Sequence, residues 1–385
     1  MFEYQQKNRF FAQVAGGMEE LGAEELSELG AREIYAAYRG LYFEADKAAL
    51  YRINYCSRLI TRVLAPLLSF KCTNTDQLYA KAKSLNWNAL LTTDHTFAVF
   101  ANVSHSNITH SRFAALRLKD AIADYFNERL HKRPDVDTRE PDVWINLYIE
   151  NDRATISLDV SGGSLHRRGY RQKSVDAPMQ EPLAAAIIRL SEWDGAQPLY
   201  DPMCGSGTLL TEALMHYCRI PAGYLRRRFG FERLPDFEKP LWESLKEEAN
   251  QKIKKLTVGE NSPQSIIAGS DISYKAVAAA SANLRGLPCG EEIRLKRLDF
   301  CTIPNLQNVT IVCNPPYGIR SGRKEEMVDF YKSLGDFLKQ RCRGSVAYIY
   351  FGERKLIPSI GLRPSWKKPL VNGALDGRLA RFEMY

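Results

Sequence analysis

Over the first 160 residues, short runs in which apolar and polar positions alternate with a period of two are separated by stretches of helical spacing. Residues 10–15 read as a strand and 17–29 as a helix with an acidic outer face. Residues 33–38 and 40–44 read as a hairpin around Arg39-Gly40. Asp46 is placed to cap a long helix from Lys47 towards Ala65, with Pro66 as its stop. This first α+β unit covers residues 1–68. A second covers 69–162. It holds a short helix over 75–85, a strand over 96–103 and an amphipathic helix over 111–130. It closes with two alternating strands, 143–150 and 154–160, around the turn pair Asn151-Asp152. On the 111–130 helix the apolar stripe is expected to consist of Phe113, Leu116, Ile122, Phe126 and Leu130. Arg112, Arg117, Lys119 and Arg129 lie largely off it.

The pattern changes after a Gly/Ser-led basic connector, residues 163–180. From 181 to 385, helices alternate with short, continuously apolar strands. Strands are expected at 198–201, 266–270, 310–313 and 345–350. Helices are expected at 181–190, 208–218, 274–285 and 325–340. That alternation predicts an α/β fold with a doubly wound, mostly parallel sheet. The charged stretch 226–255 breaks the alternation and reads as a helical insertion.

A length of 385 residues suits two or three domains. Mean hydropathy is −0.33, and no apolar run reaches the roughly 20 residues of a membrane span. The polar start of the chain lacks a signal-peptide core, so a soluble, cytoplasmic protein is expected. The eight cysteines form no C-x-x-C pair, which argues for reduced thiols and against a zinc site or a disulfide framework. A net charge of +8 is compatible with a polyanionic partner.

Four motifs carry chemistry. Asp201-Pro202-Met203-Cys204-Gly205-Ser206-Gly207-Thr208 follows an apolar strand and opens a helix, so its glycines allow a tight turn and close ligand approach. Leu210 stands where a dinucleotide fingerprint has its third glycine, and no Lys follows Gly207, so neither a dinucleotide site nor a P-loop is indicated. A cationic, phosphate-free cofactor suits the loop better, with Asp201 facing its positive amino-acid portion. Asp271, with Ile272 after it, ends the next strand and can accept from both ribose hydroxyls. Asp299 ends a third and can accept from an adenine amino group, with Phe300 beside the ring. In Cys313-Asn314-Pro315-Pro316-Tyr317-Gly318 the two prolines fix the backbone. The Asn314 side-chain carbonyl and the Pro315 main-chain carbonyl can then both accept from one amino group, and Tyr317 offers a face for an unstacked base. Taken alone, a turn of this kind also serves as a rigid connection. Four motifs in this order outline an adenosine-bearing cofactor beside an amino-nitrogen acceptor.

On these motifs the C-terminal half resembles class I methyltransferases of the amino-nitrogen type. The whole chain resembles the THUMP-domain RNA guanine-N2 methyltransferase family, in particular its bacterial branch similar to the large-subunit ribosomal RNA methyltransferase L. Leu165-His166-Arg167-Arg168-Gly169-Tyr170-Arg171 and the segment from Ala177 to Ala184 match that family's pattern ahead of the first cofactor strand. Pro182, where relatives often carry Thr, is a departure tolerated in a first helical turn. The resemblance implies a Rossmann-like class I methyltransferase domain preceded by α+β ferredoxin-like and THUMP modules that present RNA. It implies S-adenosylmethionine at Asp201, Met203, Gly205, Gly207, Asp271 and Asp299. Pro178, Cys204, Thr208, Ile272, Phe300 and Asn314 complete that set. It places guanine N2 at Asn314, Pro315, Pro316 and Tyr317, and large-subunit ribosomal RNA as the partner.

RNA contacts are expected from Arg112, Arg117 and Lys119, from Arg167, Arg168, Arg171 and Lys173, and from the run Arg226 to Arg228, although charge runs more often serve as solvated faces. His105 and His110 read as structural. Three other readings stay open: N2 methylation of transfer RNA, N6 methylation of adenine, and a non-catalytic RNA-binding or ribosome assembly role. N-P-P-Y also occurs in enzymes that methylate a protein glutamine amide, which the N-terminal half disfavours. Eroded motifs would mark the non-catalytic case, and these motifs are intact.

Overall fold

In a computed structural model, described here over residues 1–175, 178–256, 265–317, 324–373 and 375–385, the chain forms two units. The first comprises Met1–Val14, Gly22–Leu165 and Arg226–Glu247. The second comprises Ala15–Leu21, His166–Leu225 and Glu248–Tyr385. Ala177 and Gly318, both in quoted motifs, lie outside the described residues.

The first unit carries helices α1 (Glu3–Lys7), α2 (Glu19–Glu28, which begins in the second unit's first segment), α3 (Lys47–Cys56), α4 (Thr75–Lys83) and α5 (Ser111–Leu130). Its strands are β1 (Arg9–Gln13), β2 (Arg32–Ala37), β3 (Gly40–Glu44), β4 (Arg62–Lys71), β5 (Thr96–Ser104), β6 (Asp135–Val136), β7 (Val143–Glu150) and β8 (Arg153–Asp159). They form one sheet in the order β2-β3-β1-β4-β8-β7-β5-β6. Asn151 and Asp152 both have positive φ, as a two-residue hairpin turn of this type requires.

Two expectations are corrected. Asp46 does cap a helix, its carboxylate accepting from Ala49 N at 2.8 Å, but the helix stops at Cys56. Ala65 and Pro66 belong to β4, which pairs with both β1 and β8. Pro66 sits where the β4–β8 register slips, so its missing N–H does not break a regular ladder. On α5 the buried face is Ala114, Leu118, Ala121, Ile122, Tyr125 and Phe126, whereas Phe113, Leu116 and Leu130 are exposed. Two alanines on the inner face let α5 lie close to its neighbours, and a stripe judged by large side chains misses them.

In the second unit the parallel strands are β9 (Leu199–Asp201), β10 (Ile267–Asp271), β11 (Arg294–Arg297), β12 (Thr310–Cys313) and β13 (Val346–Phe351). Two more, β14 (Trp366–Pro369) and β15 (Arg378–Glu383), are antiparallel and have no counterpart in the sequence reading. The sheet order is β11-β10-β9-β12-β13-β15-β14, with β15 entering between β13 and β14. The remaining helices are α6 (Glu181–Leu190), α7 (Thr208–Tyr217), α8 (Lys239–Gln251, which starts in the first unit's last segment), α9 (Tyr274–Arg285) and α10 (Lys324–Arg341). Pro182 lies in the first turn of α6, where a proline is tolerated. The central strands β12 and β13 read as unbroken apolar runs because both their faces are covered, whereas the edge strand β11, Arg-Leu-Lys-Arg, is largely exposed. Ile311, Cys313, Ile349, Phe351 and Phe382 pack with Tyr331, Leu334 and Leu338 of α10 in one core. The α/β class and the doubly wound parallel arrangement are as expected.

Candidate active site

β9 lies between β10 and β12, so connections leave it in opposite directions across the sheet. Open α/β sheets take ligands in the crevice beyond the carboxyl ends of the strands at such a point. β9 ends in Asp201, β10 ends in Asp271, Asp299 follows β11, and Asn314 follows β12. The four groups singled out by sequence therefore stand at the same edge of the sheet.

After β9 the chain turns through Gly205 and Gly207, with φ of 53° and 81°, a left-handed backbone that favours glycine. A Cβ at 207 would stand 2.9 Å from Ala280 Cβ of α9. Leu210 is buried on the inner side of α7, and a Cβ at 269 would stand 2.7 Å from its Cδ1. The close helix-to-strand approach that a third loop glycine provides elsewhere is provided here by Gly269, on the neighbouring strand.

Asp201 is 1% exposed and accepts from Met203 N at 3.0 Å. Burial pushes its carboxyl up to about 8, against the lowering effect of that N–H, and the Asp271 charge adds to the rise. Asp271 accepts from Gly205 N through one oxygen and from Ser273 N through the other, each at 2.9 Å. Asp299 accepts from Cys301 N at 2.9 Å. Among the described residues no Lys or Arg forms an ion pair with these three carboxylates. Each carboxylate oxygen retains acceptor capacity beyond its single N–H. An acidic acceptor set of this kind, with no cation paired to it among the described residues, fits a cationic ligand that also carries hydroxyl and amino donors. S-adenosylmethionine meets that requirement.

The neighbouring positions divide. Met203, Cys204 and Thr208 belong to the loop and its helix start, Ile272 is exposed just after Asp271, and Pro178 is exposed ahead of α6. Phe300, expected beside an adenine ring, is buried in the core. It meets Phe330 and Phe337 edge-on at 5.6 and 5.7 Å. The thiols of Cys204 and Cys313 are pushed well up by burial and stay protonated.

In the N-P-P-Y turn Pro315 is buried, and the Tyr317 hydroxyl donates to Asn314 Oδ1. The Tyr331 hydroxyl donates to Pro316 O at 3.3 Å, tying the turn to α10. The Tyr350 ring meets that of Tyr317 edge-on at 6.0 Å. Burial pushes the Tyr317 and Tyr331 hydroxyls upward, so both remain neutral donors. Tyr331 and Tyr350 carry no motif of their own and escape a sequence reading.

The basic residues sort by environment. Arg168, expected to face RNA, is 1% exposed. Its Nε faces Glu212 at 3.3 Å, and the buried Tyr170 hydroxyl donates to the same carboxylate oxygen at 3.1 Å. Arg171, also expected to face RNA, donates to Glu181 at 2.9 Å, to Met179 O at 2.9 Å, to Ser206 Oγ at 3.3 Å and to Thr208 Oγ1 at 3.2 Å. It holds the cofactor loop. Asn283 of α9 holds the same loop from elsewhere: it accepts from Gln172 N and Lys173 N and donates to Ser206 O. Arg226 is spent on the carbonyls of Ser161, Gly162 and Ser164, and Arg228 pairs with Asp142. Arg117 donates to Asp76 at 2.9 Å and lies over Tyr79, and Lys119 pairs with Asp120. Arg112, Arg167, Lys173 and Arg227 are exposed. The first unit is close to neutral, with 25 Lys and Arg against 24 Asp and Glu. The second has 28 against 21 and carries nearly all of the chain's positive excess.

The two arginines of the connector should therefore behave differently on substitution. Arg168→Ala leaves a buried carboxylate without its cation, and chemical denaturation should report a loss of roughly 3–5 kcal/mol. Arg171→Ala should leave a folded protein whose affinity for S-adenosylhomocysteine, measured by calorimetry, falls at least about tenfold, as loss of a charged anchor that reaches four acceptors predicts. Unchanged affinity would remove Arg171 from the loop's support.

Residues 168–381 match the RMKL-like methyltransferase domain, 72–159 the THUMP domain and 9–64 the RlmL ferredoxin-like domain. The chain is 39% identical to slr0064 of Synechocystis sp., assigned as an RNA methyltransferase, over 98% of this chain and 97% of that one. It is 40% identical to the ribosomal RNA large subunit methyltransferase K/L of Syntrophotalea carbinolica over 98% of this chain and 53% of that one, so it spans about half the length of such relatives. Among solved structures, SMU.472, assigned as a methyltransferase and crystallised with SAH, superposes with a TM-score of 0.84 at 26% identity, covering 98% of each chain. The chain thus belongs to the family defined by the RMKL-like methyltransferase domain, here accompanied by an RlmL ferredoxin-like domain and a THUMP domain.

Proposed function

We propose that this protein transfers a methyl group from S-adenosylmethionine to the exocyclic N2 of a guanine in large-subunit ribosomal RNA. The observation that carries the reading is the alignment of Asp201, Asp271, Asp299 and Asn314 at one sheet edge around the central β9. The names of the relatives, RNA methyltransferase and ribosomal RNA large subunit methyltransferase K/L, support RNA as the substrate class. Guanine N2 rests on family resemblance alone.

In this reading the bound cofactor supplies an electrophilic methyl group on a sulfonium. Asp201 and the loop from Met203 to Thr208 hold its charged amino-acid end, Asp271 the ribose and Asp299 the adenine amino group. Asn314 Oδ1 and the Pro315 carbonyl accept from the target amino group, which aims its lone pair and offsets positive charge as the new N–C bond forms. Tyr317 stacks on the flipped base. Asn314 Oδ1 has two lone pairs, so it can accept from the target amino group while the Tyr317 hydroxyl still donates to it. Residues 1–68 and 69–162 present the RNA, and residues 181–385 perform the transfer. Exposed Arg167 and Lys173 meet phosphates beside the site, and Arg112 meets them from the THUMP module. A ribosomal RNA substrate is consistent with work in the cytoplasm. Among the described residues no helix is long and apolar enough to cross a membrane, and no cluster of His, Cys, Asp or Glu could hold a metal ion.

The first test is methyl transfer from labelled S-adenosylmethionine to total RNA from cells lacking the protein, followed by nucleoside analysis. Label in N2-methylguanosine of large-subunit RNA is expected. Label in N6-methyladenosine, or in transfer RNA, would replace the target and keep the chemistry. Asn314→Ala should reduce kcat by about 10²–10³-fold while cofactor affinity changes little; wild-type turnover would sink the role of Asn314. Asp201 adds a pH signature. Its carboxyl stands near 8 without ligand, and a cationic ligand favours the ionised form. Binding is therefore coupled to proton loss, and affinity should rise with pH up to about 8 and then level. Calorimetry between pH 6.5 and 8.5 should show a steeper rise for the natural protein than for Asp201→Asn. Parallel profiles would mean that Asp201 does not meet the cation.

A further inference from the structure

Gly352 directly follows the last residue of β13, at the same sheet edge as the N-P-P-Y turn. Its φ lies outside the left-handed region, so the backbone there does not require glycine. What requires it is Tyr317. A Cβ at 352 would stand 2.6 Å from Tyr317 Cγ and 2.7 Å from both Cδ atoms. Nearly equal distances to three adjacent ring atoms put that missing carbon over the face of the ring, not at its rim. Real Cβ contacts essentially never fall below 3.0 Å. The obstacle is also not the free end of a flexible side chain. The ring root is held by the proline-stiffened turn, its hydroxyl donates to Asn314 Oδ1, and the Tyr331 hydroxyl secures Pro316 O.

The rim is fixed as well. Tyr350 meets Tyr317 edge-on at 6.0 Å, and its own hydroxyl donates to Leu370 O at 3.1 Å. A Cβ at Gly377 would stand 1.9 Å from the Tyr350 hydroxyl oxygen, so a second glycine admits that tyrosine. The loop that follows β13 and the segment between β14 and β15 thus build a seat for Tyr317, with one face of its ring against Gly352.

We infer that Gly352 is a positioning residue for methyl transfer: the absence of a side chain sets how deep the Tyr317 ring lies and hence the plane in which the target base stacks. This rests on the reading of Tyr317 as the stacking platform. Any Cβ at 352 drives the ring outward by roughly 1 Å to restore ordinary contact, into the space the base must occupy. A misplacement of that size costs about 10²-fold in rate when it displaces reacting atoms. The effect belongs in kcat, because the cofactor's carboxylates stand on β9, β10 and beyond β11.

Methyl transfer to total RNA from cells lacking the protein, with labelled S-adenosylmethionine, should show kcat of Gly352→Ala reduced about 30–100-fold. KM for S-adenosylmethionine should stay within about twofold of the natural value. In a Tyr317→Ala background there is no ring to displace, so adding Gly352→Ala should change kcat less than about twofold. Wild-type turnover by Gly352→Ala alongside an impaired Tyr317→Ala overturns the positioning role and leaves the reading of Tyr317 standing. Wild-type turnover by Tyr317→Ala overturns both. An equal loss from Gly352→Ala in the two backgrounds assigns it a role elsewhere and also overturns the proposal. Should Gly352→Ala fail to fold, the double variant must fold again, and a double variant that stays unfolded counts against it.

Discussion

The guanidinium of Arg171 is the contact on which the cofactor side of this protein depends. The loop after β9 owes its path to two left-handed glycines, and glycines supply a path without stiffness. Rigidity has to come from outside the loop. Arg171 supplies it with a planar fork that reaches the entry to α6 through Met179 O and Glu181 and the loop itself through Ser206 and Thr208. Asn283 of α9 braces Ser206 O and the connector at the same time. With the loop held, Gly205 N is in place to meet Asp271, and Met203 N to meet Asp201. The connector before the catalytic domain is thereby a structural part of the site and not merely a tether.

The site's electrostatics follow from which charges lack partners. Elsewhere in the second unit buried carboxylates are matched: Glu212 has Arg168, and Glu181 has Arg171. At the strand ends the carboxylates receive N–H groups and, among the described residues, no cation. Burial raises the Asp201 carboxyl, and the neighbouring Asp271 charge adds to the rise. The N-P-P-Y turn uses a different principle: its groups are neutral, and they are fixed by its prolines and by the tyrosines and glycine around them.

Much of this was readable from the chain. Order and spacing of the strand-end acids, the glycine loop and the N-P-P-Y turn predict a doubly wound sheet and where its ligands go, because strand period, turn chemistry and motif order are local properties. The failures have physical causes. Pro66 reads as a helix stop, but a register slip against β8 accommodates it within a strand. The α5 stripe was drawn through its large side chains, whereas Ala114 and Ala121 face inward because close packing favours small ones. The last two strands and the seat of Tyr317 involve pairings made only once the sheet exists.

The connector shows the division most plainly. Arg167 and Arg168 are adjacent and chemically identical, so local pattern assigns both to solvent and to a polyanion. Tertiary structure leaves Arg167 exposed and sinks Arg168 beside Glu212, 44 residues away in sequence. The sequence by itself determined the fold class and the order of the motifs along the chain. Which arginines remain available for RNA, which phenylalanine joins the core and which glycine supports a tyrosine were decided by tertiary structure alone. Burial and charge pairing depend on partners that only the folded chain brings together.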